Sequence, residues 1–255
     1  MAEKSQAVLV EAQFGAQAGA YLTSTVHAQG EDLDAIAAIV AGRAEARVLD
    51  LGCGAGHVSF AVAPHVAAVT ACDLSPSMLD VVARAAAERG FANIATRQSS
   101  AEHLPFADQE FDLVLSRYSA HHWHDFRRGI AEAARVLKRG GSAVFVDTAA
   151  PEAPVLDTFL QAIELLRDTS HVRNYSKREW EWSVLEAGLV IDAATFGRVH
   201  LDFQAWVTRM RTPALHVEAI RALQAAVADE VRQHFAVEPD GSFCFDRLLL
   251  QARRP

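Results

Sequence analysis

The sequence predicts an α/β chain built on one open, mostly parallel sheet. Three observations carry this expectation. Short apolar runs alternate with helix-spaced segments from about residue 46 to residue 146, the pattern of parallel strands joined by right-handed crossovers. The run Val48-Leu49-Asp50-Leu51 ends in three glycines at alternate positions, Gly52, Gly54 and Gly56. A second apolar run ends in an acid, Asp73, 21 residues after Gly52. Glycine lets a backbone turn from strand to helix with no Cβ in the way. In open sheets the tips of such strands are where ligands seat.

The bulk numbers bound the class. A chain of 255 residues, 51% hydrophobic, suits one large domain with a sizeable core. The formal charge of −8 disfavours non-specific nucleic-acid binding, which depends on neutralising phosphates. Cys53, Cys72 and Cys244 have neither CxxC nor zinc spacing, so small buried thiols are expected. The first residues carry Glu3 and Glu11 and no apolar core of a secretory signal, and no apolar run is long enough to span a membrane. A soluble, cytoplasmic protein with no membrane partner is the expectation.

Taken in order, residues 1–43 read as a helical cap, with Phe14, Ala18, Tyr21 and Leu22 on one helix face and a second helix from about Asp32 to Ala41. Tyr21 and His27 are polar tips on an otherwise small-residue surface, which places this segment across a ligand site. Residues 44–150 form the core. Its strands are expected at about 46–51, 67–72, 94–98, 111–116 and 142–146. Ser75 caps a helix that opens on Pro76 and stops at Gly90. Asp125 caps another that runs to Lys138 and is ended by Gly140-Gly141. Residues 151–255 complete the fold. Ser176-Lys177-Arg178-Glu179 has the form of a capping box. A sixth strand follows from about Leu189, then an inserted helical pair at about 203–235, then a last strand from Phe243 to Ala252.

The glycines run GxGxG, with His57 where the dinucleotide fingerprint GxGxxG has its third glycine, and no Walker phosphate loop is present. As VLDLGCGAG, this stretch resembles motif I of the class I S-adenosylmethionine (SAM) dependent methyltransferases. SAM carries a sulfonium and an ammonium and no phosphate, which suits an acidic bend. The loop SSAEHLPF resembles the family's GDAExLPF, and FDLVLSRYSAHHWHD…RVLKRGG resembles its FDxVxxxxxxHHWxD…RVLKPGG, with Arg139 in place of proline. The resemblance is close over residues 44–150. It points to the small-molecule methyltransferases of ubiquinone and menaquinone biosynthesis. It implies a Rossmann-like seven-stranded sheet whose last strand runs antiparallel between strands 5 and 6.

The same resemblance implies SAM as methyl donor, S-adenosylhomocysteine (SAH) as product, and no metal. Asp50, Gly52, Cys53 and Gly54 would hold the donor at the bend. Asp73 and Leu74 would face its ribose, where two acceptor oxygens match two hydroxyl donors. Met78, Ser100, Ala101 and Glu102 would surround the adenine, Ser100 standing where the family has an acid. Ser116, Tyr21 and His27 complete the set. Arg117, Tyr118, His171, Arg173 and Tyr175 are candidates for a small-molecule acceptor, and Arg173 would suit a carboxylate or phosphate. Surface loop positions are the alternative for each. Of the imidazoles, His121 and His122 are the candidate general bases, with packing under the donor as the other use. Successive positions at a strand exit point different ways, so His121, His122 and His124 are not expected to converge on one ion. Three rival functions remain: an NAD-dependent enzyme, against which His57 argues, a non-catalytic binding protein, to which Ser100 gives some support, and, ranked last for the acidity and the lid, a nucleic-acid or protein methyltransferase.

Overall fold

A computed structural model describes residues 5–15 and 30–255. The proposed contacts of Tyr21 and His27 lie outside the described residues. The sheet is laid out around strand β1 (Arg47–Leu51), whose last four residues are all buried. A strand of Val and Leu buried on both faces needs neighbours on both edges and layers above and below. Its edges pair in parallel with β2 (Ala68–Asp73) and, after β3 (Ile94–Gln98), with β4 (Phe111–Arg117). Beyond β4 lies β5 (Leu137–Ala150), also parallel. The chain ends in a long antiparallel pair, β7 (Val190–Leu201) and β8 (Phe243–Arg253), giving the order β3-β2-β1-β4-β5-β8-β7. The two-residue β6 (Tyr175–Ser176) adds to β5 outside that path.

Side chains alternate along the strands and so build two layers. Val48, Leu113, Leu115 and Val144 pack against α2 (Glu31–Val40) and α3 (His57–Val62). Leu49, Leu51, Val114 and Phe145 face the other way, toward α5 (Phe126–Val136) and α7 (Lys177–Glu186). α4 (Pro76–Glu88) packs on β2 and β3, and α1 (Gln6–Phe14) contacts α4. A third cluster, with Phe159, Trp206, Phe235 and Phe243 at its centre, joins α6 (Pro154–Arg167) to the projecting ends of β7 and β8. Burying each of these large side chains contributes roughly 1.5–3 kcal/mol.

The expected caps are present. Ser75 Oγ accepts from Met78 N at 3.2 Å, Asp125 from Arg128 N at 3.0 Å, and Ser176 with Glu179 closes a full capping box. Three expectations are corrected. The helix before strand 5 stops at Val136 rather than at the glycines, because Leu137 turns into the sheet opposite Phe111 and Gly140 N donates to Arg254 O. The insertion holds three helices, α8 (Phe203–Arg209), α9 (Ala214–Ala226) and α10 (Asp229–His234), since Val227 and Ala228 are extended. His121 and His122 lie in a 3₁₀ turn, Ala120–His122, rather than on an extended strand exit.

Strand order reverses at β1, with β2 on one side and β4 on the other. That switch point leaves a crevice at the carboxyl ends of the strands.

Candidate functional site

The bend after β1 is set by backbone conformations that favour glycine. Gly52, Gly54 and Gly56 have φ of 70, 50 and 86°. A Cβ on Gly52 would sit 1.8 Å from Ser119 Oγ, and one on Gly56 would sit 2.9 Å from Val82 Cγ2. No heavy atom of the described residues lies within 4 Å of where a Cβ on Gly54 would be, so the backbone there faces open space among them. Gly52 N and Cys53 N both donate to Cys72 O, which ties the bend to the end of β2.

Two carboxylates frame the bend. Asp50 is buried, and its Oδ2 accepts from Ser59 N at 2.9 Å and Ser59 Oγ at 2.6 Å. Burial pushes the Asp50 carboxyl up to about 7, against the lowering effect of those two bonds. Asp50 Oδ1 has no hydrogen-bond partner among the described residues. Asp73 Oδ2 accepts from Gly54 N at 2.8 Å and Oδ1 from Ser75 N at 2.9 Å. Burial raises Asp73 as well.

Both acids open onto one cavity of about 850 Å³ at the strand tips. Gly52, Cys53, Gly54, Leu74 and Met78 line the same cavity. Ser100, Ala101 and Glu102 close its far side, and Glu102 is held by Asp125 N at 3.2 Å. Ser116 does not reach it. Its hydroxyl is buried inside the sheet with no hydrogen-bond partner, because the residue falls one position short of the strand tip. Sequence reasoning missed Gln6 and Phe14 of α1, and Ser119 and Trp123, all on the wall. Trp123 Nε1 donates to Ser119 Oγ at 3.0 Å, which fixes the hydroxyl that fills the space left by Gly52.

A second cavity of about 400 Å³ adjoins the first, and Phe14, Arg117, Tyr118 and His122 line both. His121 lies on its wall with Nδ1 2.5 Å from Asp147 Oδ1. Burial pulls the imidazole down, but the charge and hydrogen bond of Asp147 outweigh it and its proton affinity is raised. The ring of His122 is 4.2 Å from that of His121, and burial with His121 as neighbour pushes it down. The two imidazoles thus lie side by side instead of diverging. Asp147 carried a signal that went unread: like Asp50 and Asp73, it is an acid that interrupts an apolar run, here Ala143 to Val146.

Three expected acceptor residues fall on neither cavity wall. His171 is buried with Nε2 3.0 Å from Gln161 Oε1, and burial pushes it down to about 2. Arg173 is spent on Asp157 at 2.9 Å and Glu179 at 3.1 Å. Tyr175 stacks on Phe126 with ring centroids 3.8 Å apart. His171 and Arg173 lie in the loop after α6, whose polar residues fasten it to its own neighbours, and Tyr175 opens β6 directly after it. Arg117 and Tyr118 do lie at the junction of the cavities.

A sheet of this order, with its cavity at the tips of β1, β2 and β4, has the Rossmann-like architecture of class I methyltransferases. Residues 49–145 match the family described as Methyltransferase domain. The chain is 49% identical over 199 residues to the uncharacterized protein YafE of Escherichia coli (strain K12), covering 78% of this chain and 96% of that one. It is 37% identical over 246 residues to the uncharacterized methyltransferase YcgJ of Bacillus subtilis (strain 168), covering 94% and 97%. The crystal structure of YcgJ superposes with a TM-score of 0.85 at 36% identity, over 88% of this chain and 97% of that one. A ubiquinone/menaquinone biosynthesis C-methyltransferase of Rhizobium meliloti (strain 1021) is 35% identical over 125 residues, 48% of each chain. The chain belongs to the methyltransferase family.

Proposed function

We propose that the chain is a SAM-dependent methyltransferase acting on a small-molecule acceptor. The observation that carries this is the single cavity framed by Asp50, the glycine bend and Asp73. Its volume of about 850 Å³ falls within the usual range of small-molecule sites, about 300–1,000 Å³. The donor set fits the group. Each oxygen of Asp73 takes one backbone amide and keeps a lone pair for a ribose hydroxyl. Gly54 leaves room for close approach of a ligand to the backbone. Asp50 supplies negative charge beside a cation, and no phosphate-binding lysine is present at the bend.

SAM, when bound, supplies a methyl group already activated by its sulfonium. The work left to the chain is orientation and exclusion of water, which holding two reactants in line makes worth roughly 7–11 kcal/mol. The acceptor is placed in the second cavity, which meets the first at Tyr118 and His122. His121 is the proposed proton acceptor. Asp147 on Nδ1 holds the ring and stabilises its charged form, so Nε2 is the nitrogen that takes the proton.

Calorimetric titration with SAM and SAH tests the reading. Both ligands are expected to bind, and Asp73→Asn is expected to weaken both by about 1–3 kcal/mol through lost hydroxyl acceptors. Absence of binding by either ligand to the folded wild-type chain would contradict it.

A further inference from the structure

We propose that His122 and Asp168, on the wall of the second cavity, seat a nitrogen of the acceptor that carries at least two hydrogens, a primary amide or a primary amine. This rests on the reading of the site as one of methyl transfer and adds the chemical class of the acceptor.

The loop that follows α6 brings polar side chains into the interior. Asp168, Ser170 and Asn174 are 2, 0 and 1% exposed. Asp168 and Asn174 share the cavity wall with His122. The two oxygens of Asp168 are used unequally. Oδ1 accepts from Ser170 N at 2.8 Å and from Ser170 Oγ at 2.7 Å. Oδ2 is buried with no hydrogen-bond partner among the described residues. The basic group nearest to Asp168 among those residues is His122, whose Nε2 is 3.9 Å from Oδ2, too far for a direct bond. None of the arginines on this wall, Arg209 included, comes as near. Arg167 turns instead to Glu164 at 3.2 Å and to Trp206 O at 3.1 Å.

His122 faces the gap with a lone pair. Burial and the neighbouring His121 push its ring down to about 4, so near neutral pH it holds a single hydrogen. Its Nδ1 lies 3.1 Å from Ser170 O, and a carbonyl oxygen can only accept. Ser170 Oγ, 3.4 Å from the same nitrogen, has given its hydrogen to Asp168. The hydrogen therefore sits on Nδ1 and leaves Nε2 bare. Gln6 Nε2 donates to the same carbonyl at 2.6 Å, which fixes it from α1.

Two acceptors thus confront each other across 3.9 Å with no hydrogen between them. Buried acceptors left unpaired are costly. Asn174 Nδ2 and Arg247 Nε, donors on the same wall, are themselves buried without an acceptor and do not fill the gap. A nitrogen bearing two hydrogens donates to both sides at once. A hydroxyl has one hydrogen and leaves one side unpaired. An ordered water carries two, so a ligand nitrogen replaces it bond for bond and a hydroxyl does not.

The test is calorimetric titration of the full chain, with and without saturating SAH, using benzamide, benzylamine and benzyl alcohol as probes. At least one nitrogen probe is expected to bind more than about tenfold tighter than benzyl alcohol. The tighter of the two assigns a neutral amide or an ammonium group. Asp168→Asn is expected to abolish that preference, because its carbonyl keeps the bonds to Ser170 while its own NH₂ meets His122. A thermal melt and an SAH titration check that the variant is folded. Nitrogen NMR of the ligand-free chain near neutral pH is expected to show His122 protonated at Nδ1 and bare at Nε2. Benzyl alcohol binding as tightly as both nitrogen probes, no probe binding, a preference that persists in folded Asp168→Asn, or His122 protonated at Nε2 would overturn the proposal. Failure of SAH to bind contradicts the methyl-transfer reading instead, and the NMR and the titrations without SAH still report on the seat.

Discussion

Asp50 is the residue on which pH acts most directly. Its folded carboxyl is pushed up to about 7 from an ordinary 3.8, with burial as the first cause. A carboxyl raised on folding contributes stability that is present below about pH 4 and lost as pH rises through about 7. The ligand-free chain should therefore lose stability as pH rises from about 4 to about 7, and Asp50→Asn should flatten that fall, as read by denaturant titration. An unchanged slope would show that Asp50 is not the group responsible. Over the same interval a cationic ligand gains an ionised partner, so affinity for SAM should rise relative to SAH. His121 offers a second reading at this scale. Asp147→Asn should lower the midpoint of the His121 ring titration followed by NMR, because the carboxylate is what raises it. A midpoint that does not move would remove Asp147 from the proposed proton-accepting pair. Asp50 and Asp73 were legible because each breaks an apolar run beside glycines or a helix cap. Asp147 has the same signature, and only its distance from the glycine motif hid it. The pairing of His121 with His122 was not legible, since it depends on a 3₁₀ turn that neither residue type dictates.

At the scale of the element, the bend between β1 and α3 joins fold to site. Gly52 combines φ of 70° with a direct steric demand from Ser119, whereas Gly90 has φ of 75° with open space around it. The pair separates strain from contact. Gly90→Ala should cost about 1 kcal/mol of stability and leave SAH affinity unchanged. Gly52→Ala should cost about 1–3 kcal/mol or more and also displace Ser119 from the cavity wall, with a matching loss of SAH affinity. Equal effects of the two substitutions on binding would show that the bend does not shape the cavity. Strands β1 to β4 and helix α4 were readable nearly to the residue, because apolar runs there are bounded by caps and glycines. The start of β5 was not. Lys138-Arg139-Gly140-Gly141 looks like a helix stop, yet Leu137 is drawn into the sheet by pairing that only the third dimension provides. The extra break at Val227 and Ala228 likewise has no glycine or proline to announce it.

For the whole molecule, the strand order β3-β2-β1-β4-β5-β8-β7 fixes everything that follows. It puts the tips of β1, β2 and β4 around one crevice and carries the pair β7 and β8 past the sheet, where they support the helices α8 to α10. The first cavity is built mostly from segments close in sequence to motif I, so much of its wall could be named in advance. The second gathers residues from 30–32, 117–122, 164–168, 198–210 and 245–247, and no local pattern marks them as neighbours. Arg173 was named for an anion, but its guanidinium is paired with Asp157 and Glu179. The central claim is that Asp50 and Asp73 hold an adenosyl ligand between them across the glycine bend. Electron density from crystals of the full chain grown with SAH tests it most directly. The account predicts the ribose hydroxyls on the Asp73 carboxylate and the ligand lying along Gly52 to Gly54. Density for SAH elsewhere on the chain, or a clear map with that cavity holding only solvent at saturating SAH, would contradict it.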